Sequence, residues 1–69
     1  MSNQCLLIYN HMKFNGPITA KKAADLYGVQ RLASRINDLK NLGVNIKSQL
    51  LTGVNRYGEK TRFKEYWLA

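Results

Sequence analysis

The sequence predicts an α+β domain in which three helices are followed by a two-stranded β-hairpin. Apolar residues recur at helical spacing up to Leu42, and they alternate with polar residues after Gly43. Glycine and proline separate the segments. The 69 residues are enough for one domain, 1–69, and too few for two. We expect helices at about 4–14, 19–27 and 30–42, and strands at about 44–52 and 62–68.

The first two helices are marked by an apolar stripe, by caps and by stop signals. The stripe of the first helix is formed by Cys5, Ile8 and Met12. Ser2 or Asn3 can cap its start, and Pro17 cannot continue it. Thr19 can cap the second helix through its side-chain oxygen, and Gly28 ends that helix after about two turns.

The third helix and the hairpin show two different periods. The apolar stripe of the helix is formed by Leu32, Ile36 and Leu39. Gly43 provides its stop signal, and the alternating segments that follow are typical of strands. Residues 53–61 contain two glycines and an asparagine, which favour a flexible tip between the two strands.

The charge of the chain predicts a polyanionic partner. Eleven Lys and Arg residues outnumber four Asp and Glu residues, which gives a formal charge of +7. Residues 1–19 contain a single charged side chain, Lys13, so the first helix is expected to be structural. The basic residues of the second and third helices and of the hairpin would then contact the partner.

The composition argues against an enzyme. The single histidine has no acidic residue near it in the sequence, and the four carboxylates show no spacing that would couple two of them for acid–base work. No glycine-rich phosphate loop is present. One His and one Cys cannot form a zinc site, so we expect no metal, no cofactor and no small-molecule substrate. No apolar run of about 18 residues would span a membrane.

A resemblance to a known family rests on two motifs. The first is Ile18-Thr19-(x)3-Ala23-(x)4-Gly28-Val29-(x)2-Leu32-Ala33-Ser34-Arg35-Ile36-(x)2-Leu39, which resembles a prokaryotic helix-turn-helix. The second is a hairpin with Arg56, Gly58 and Lys60 that ends in Glu65-Tyr66-Trp67-Leu68, and it resembles a wing. Together they are similar to the small winged helix-turn-helix domains of bacteriophages and prophages, over about residues 4–69. The resemblance implies a winged helix-turn-helix fold and a double-stranded DNA partner.

The third helix, 30–42, is then expected to enter the major groove as the recognition helix. Arg31 and Arg35 are one turn apart, so they are predicted to project from the same side. Arginine can pair with guanine, and glutamine can pair with adenine. The residues expected to read bases are Gln30, Arg31, Ser34 and Arg35. An alternative for Arg35 is a surface ion pair with Asp38.

Two further groups are expected to contact the DNA outside the major groove. The residues predicted to bind phosphate are Thr19, Lys21, Lys22 and Lys40. The wing, 53–61 with the start of the next strand, is expected to follow the backbone or a neighbouring minor groove. Its candidate residues are Arg56, Tyr57, Lys60 and Arg62.

Several roles fit such a domain. One is a transcription regulator of a phage or mobile element, and another is an architectural factor of the excisionase kind. One monomer reads few base pairs, so self-association or a protein partner would be needed for useful specificity. The alternative is a winged-helix protein-interaction module that docks onto a host complex and inhibits it. RNA binding is disfavoured because the sequence lacks exposed aromatic motifs on which bases could stack. We expect a cytoplasmic protein, in the bacterial cytosol or nucleoid or in the host cytoplasm if it is phage-encoded.

Overall fold

The computed structural model describes residues 2–69. Met1, which the predicted domain 1–69 includes, lies outside the described residues. Three helices and a small antiparallel sheet confirm the predicted α+β class. In chain order the elements are α1 (Asn3–Phe14), β1 (Ile18–Thr19), α2 (Ala20–Tyr27), α3 (Leu32–Asn41), β2 (Ile46–Val54) and β3 (Lys60–Leu68).

The caps of the first two helices are those that the sequence predicts. The Ser2 hydroxyl accepts a hydrogen bond from the Cys5 amide at 3.2 Å, so Ser2 is the N-cap of α1. The Thr19 hydroxyl accepts one from the Lys22 amide at 3.3 Å, so α2 begins at Ala20 rather than at residue 19. Gly28 ends α2 in the left-handed region, with φ +67°, which only glycine adopts without strain.

The third helix is shorter than predicted at both ends. It begins at Leu32 rather than at residue 30, because Arg31 is its N-cap with non-helical backbone angles. The Val29 side chain is buried in the core, which holds the chain in a turn before the helix can begin. Gln30 therefore lies in the turn between α2 and α3. At the other end, α3 stops at Asn41, ahead of Gly43 at φ +95°.

The sheet has three strands, whereas the sequence predicted two. The short strand β1 pairs with β3 in the order β1-β3-β2, and Ile18 lies opposite Tyr66. Strands β2 and β3 pair from Ile46↔Leu68 out to Val54↔Lys60. Each strand extends two residues further toward the tip than predicted, and β2 begins two residues later, at Ile46. The tip is correspondingly short, at residues 55–59.

The core lies between the three helices and the base of the hairpin. Its buried members are Cys5, Ile8, Met12, Ile18, Ala23, Val29, Leu32, Ile36 and Leu39. Ile46, Tyr66 and Leu68 cover it from one face of the sheet. They lie at the end of the hairpin that is far from the tip, so the rest of the hairpin extends away from the core. None of the helices in residues 2–69 is long and apolar enough to span a bilayer.

Candidate nucleic-acid interface

The outward surface of α3 is polar and open to solvent. Leu32, Ile36 and Leu39 face the core, so the side chains opposite them point away from it. Ser34 is half-buried, while Asn37 and Asn41 are exposed. The major groove of B-DNA is wide enough to admit one α-helix, so α3 can present this surface to it.

The N-terminal end of α3 adds two further polar side chains. Gln30 and Arg31 are both exposed. The Arg31 side chain makes no capping hydrogen bond, while its carbonyl accepts hydrogen bonds from the Ser34 and Arg35 amides. The long side chain of Arg31 therefore extends from the start of the helix, where a recognition helix enters its groove most deeply.

Arg35 does not project beside Arg31 as the sequence predicted. Its Nη1 atom donates to Oε1 of Gln4 on α1 at 3.2 Å, and its Nη2 atom lies 3.1 Å from Oδ2 of Asp38. Only 30% of its side-chain surface is exposed, and its Nε atom is buried without a hydrogen-bond partner within residues 2–69. The alternative interpretation, the ion pair with Asp38, is the geometry observed.

The N-terminus of α2 and the hairpin form the two sides of a groove of about 720 Å³. Thr19, Lys21 and Lys22 line it from the helix, and Arg62 and Phe63 are among the residues that line it from β3. Both lysines are exposed. Two carboxylates, those of Asp25 and Glu65, also line the groove. The structure thus brings three of the predicted phosphate contacts together with one of the predicted wing residues.

The last predicted phosphate contact, Lys40, lies elsewhere. It is exposed in the last turn of α3, at the opposite end of the helix from Arg31. Its position next to the helix C-terminus suits a positive charge because the helix dipole is negative there.

The wing carries its cations in a regular arrangement. The register places Thr52 opposite Arg62 and Val54 opposite Lys60, so these four side chains lie on the same face. At the tip, Oδ1 of Asn55 accepts hydrogen bonds from the amides of residues 57 and 59 at 2.9 and 3.0 Å. This turn leaves Arg56 exposed, and it leaves Tyr57 78% exposed.

Few of the positive charges are neutralised within the domain. Arg35–Asp38 is the one ion pair that residues 2–69 contain, and Glu65 is bound instead to Nε2 of Gln49 at 3.0 Å. The remaining ten Lys and Arg residues have no carboxylate oxygen within 4.0 Å among the described residues. These ten cations are therefore available to bind phosphates.

Two candidate residues were missed by the sequence prediction. Asn37 is exposed on the outward surface of α3, and Lys64 is exposed on β3 next to the wing residues. Counting 100° per residue from the apolar stripe would have placed Asn37 outward. The signal for Lys64 was its spacing, because Arg62, Lys64 and Tyr66 are every second residue of the strand and so lie on one face.

Comparison with known proteins identifies one family. A model of the winged helix-turn-helix domain matches residues 3–69, which is nearly the whole chain. No curated protein matches the sequence. Within the described residues, no three His, Cys, Asp or Glu side chains lie close enough together to hold a metal ion.

Proposed function

The chain belongs to the winged helix-turn-helix family, whose members include DNA-binding domains, and from this premise we propose that it binds double-stranded DNA sequence-specifically. The observation that carries the proposal is the polar, open surface of α3, flanked by basic side chains that have no carboxylate partners in residues 2–69. A helix of this kind fits the major groove, and unpaired cations beside it suit the phosphates that border the groove.

In this proposal each part of the interface has its own role. The outward surface of α3 and the Arg31 side chain contact base edges in the major groove. Lys21 and Lys22 bind a phosphate at the N-terminus of α2, where the helix dipole favours an anion. Arg56, Lys60 and Arg62 follow the neighbouring backbone or minor groove.

The biological role that we propose is regulatory or architectural rather than catalytic. The domain would act in the cytoplasm as a transcription regulator of a phage or mobile element, or as an excisionase-like factor that shapes DNA. The support is the combination of a small reading surface on α3 with a formal charge of +7. A small surface reads few base pairs, so the protein would act as a dimer, in an array or with a partner.

The test is fluorescence anisotropy with labelled duplex DNA at increasing salt. If about six cations contact phosphates, the affinity falls about 10³-fold between 50 and 200 mM salt. Lys22→Ala should make the slope of log affinity against log salt shallower by about 1, which corresponds to the loss of one phosphate contact. The matched control is Lys13→Ala, because Lys13 lies on α1 beside Phe14, with its Nζ 5.4 Å from the ring centre.

Two results would contradict the proposal. One is an affinity that does not change over this range of salt. The other is an equal effect of Lys13→Ala and Lys22→Ala, since that would show that net charge, and not the site, governs binding.

A further inference from the structure

The two sides of α3 hold their polar side chains in different ways. Arg35 lies about 65° from the centre of the buried stripe, and Asn37 lies about 130° from it, at 100° per residue. The first position borders α1, and the second faces solvent. Arg35 is the fourth residue of α3 and Asn37 is the sixth, so both lie near the middle of the helix.

The guanidinium of Arg35 is engaged on several sides. It donates to Gln4 on α1 and forms the ion pair with Asp38, and its Nε atom is buried. Cys5 packs against the same place, with its Sγ atom 4.0 Å from Oδ2 of Asp38 and from the Arg35 carbonyl oxygen. If Arg35 turned toward a base, it would break the contact with α1 and leave Asp38 without its cation.

Asn37 has none of these restraints. It is exposed, and its side chain makes no hydrogen bond to the described part of the chain, residues 2–69. Ser34, its neighbour one turn earlier, is half-buried and has a shorter side chain. Asn37 is therefore the amide best placed to extend from the middle of α3 without a structural penalty.

We infer that Asn37 reads a base from the middle of α3, and that Arg35 is a positioning residue that holds α3 against α1. This inference rests on the proposed function. An asparagine amide pairs with adenine through two hydrogen bonds, to N6 and N7, so the target site contains an adenine opposite Asn37. Arg35 contributes no base preference of its own and sets the angle at which α3 is presented.

The experiment is a selection from random duplexes with the wild-type chain, Asn37→Ala, Asn41→Ala and Arg35→Ala. We expect Asn37→Ala to lose the adenine preference at one position and to bind the selected duplex about 5- to 150-fold more weakly. Asn41→Ala is the matched control, because it removes an exposed asparagine from the same surface one turn further along. It should leave that position of the motif unchanged.

The role of Arg35 needs a measurement that a purely structural role would not affect. The affinity of Arg35→Ala is measured at a temperature at which circular dichroism shows the variant to be fully folded. We expect weaker binding to selected and unrelated duplexes alike, an unchanged motif, and partial rescue by Arg35→Lys, which keeps the charge beside Asp38. Gln4→Ala should weaken binding in the same way, and it should have little further effect in the Arg35→Ala background.

The outcomes separate the inference from the proposed function. If the motif is unchanged in Asn37→Ala, or if Arg35→Ala loses one position of the motif, the inference is wrong while DNA binding stands. If the wild-type chain binds duplexes without selecting a motif, the inference fails together with the sequence-specific part of the proposed function. If the folded wild-type chain binds no duplex at low salt, the proposed function itself fails. Asn37→Ser provides a second variant if Asn37→Ala does not fold.

Discussion

The helical part of the domain and the wing are stabilised in different ways. In the helical part, Ile8 and Leu39 are 0% exposed, and the apolar stripes of the three helices meet in one core. In the outer half of the hairpin most side chains are exposed, and Val54 is 68% exposed. The wing is held by the backbone ladder from Ile46 to Val54 and by the ring of Phe63, which packs over Gly53.

This contrast indicates that the wing supplies part of the charge of the domain and little of its apolar packing. The core excludes charged side chains, whereas the wing displays Arg56, Lys60, Arg62 and Lys64 without burying them. Substitutions in the core should therefore affect folding first and binding as a consequence. Substitutions in the wing should affect binding with little effect on folding. Four variants test this separation.

The largest effect is expected from Leu39→Ala. Leu39 is fully buried, so its truncation removes apolar contacts and leaves a cavity, which should lower the free energy of unfolding by about 2–5 kcal/mol. Urea denaturation followed by circular dichroism measures the change. The matched control is Leu42→Ala, because Leu42 is 60% exposed and its loss should change stability by less than about 0.5 kcal/mol. Equal effects of the two variants would mean that the core is not where the structure places it.

A smaller loss of stability is expected from Tyr27→Phe. His11 is buried, with Nε2 3.3 Å from the Pro17 carbonyl oxygen and Nδ1 2.8 Å from the Tyr27 hydroxyl. The carbonyl can only accept, so in the neutral ring Nε2 donates to it and Nδ1 accepts from Tyr27. Removal of the hydroxyl leaves Nδ1 buried without a donor, which should lower the free energy of unfolding by about 1–3 kcal/mol.

The control for this variant is Tyr9→Phe. Tyr9 is half-buried, and its hydroxyl makes no hydrogen bond within residues 2–69. The free energy of unfolding should therefore be close to that of the wild-type chain. A loss in Tyr9→Phe as large as that in Tyr27→Phe would show that the bond to His11 contributes nothing specific.

In the wing, the double variant Arg56→Ala and Lys60→Ala should leave stability unchanged within about 0.5 kcal/mol. Both residues are exposed and without ion pairs among the described residues, so the expected effect is on DNA. The slope of log affinity against log salt should become shallower by about 2, one for each lost phosphate contact. Unchanged DNA binding would remove the wing from the interface, whereas a loss of folding stability would contradict the separation of the two regions.

The smallest effect is expected from Asn55→Ala at the wing tip. The Asn55 side chain accepts hydrogen bonds from the amides of Tyr57 and Glu59, so its loss should speed hydrogen exchange of those two amides. Amides in α3 should exchange as in the wild-type chain. Asn10→Ala, an exposed position on α1, is the control. Faster exchange throughout the domain would show that the tip and the core unfold together.

Much of the helical part follows from local sequence. The stripe of Leu32, Ile36 and Leu39 identifies the inner side of α3, and Thr19 and Gly28 mark the two ends of α2. These features act over three or four residues, so they can be recognised without knowledge of the rest of the chain. The family resemblance rests on the same local features, and the match over residues 3–69 confirms it.

The extent of the sheet could not be predicted in the same way. The strand β1 has two residues, and it exists because Ile18 and Thr19 lie beside Tyr66 and Glu65. The outer wing is paired through its backbone, and its side chains leave no apolar pattern for that pairing. The two-residue strand depends on a contact between distant segments, and the exposed ladder depends on backbone pairing, so neither is marked by an apolar pattern in a short window of sequence.

By itself the sequence determined the class of the fold, the inner sides of the helices, most of their ends and the surplus of positive charge. The tertiary structure alone decided which cations are available. Arg31 and Arg35 look equivalent in the sequence, yet packing of α1 against α3 places Gln4 within reach of Arg35 and leaves Arg31 exposed. The reason is that helical periodicity gives the direction of a side chain, whereas its hydrogen-bond partners come from other elements whose positions are set only when the core forms.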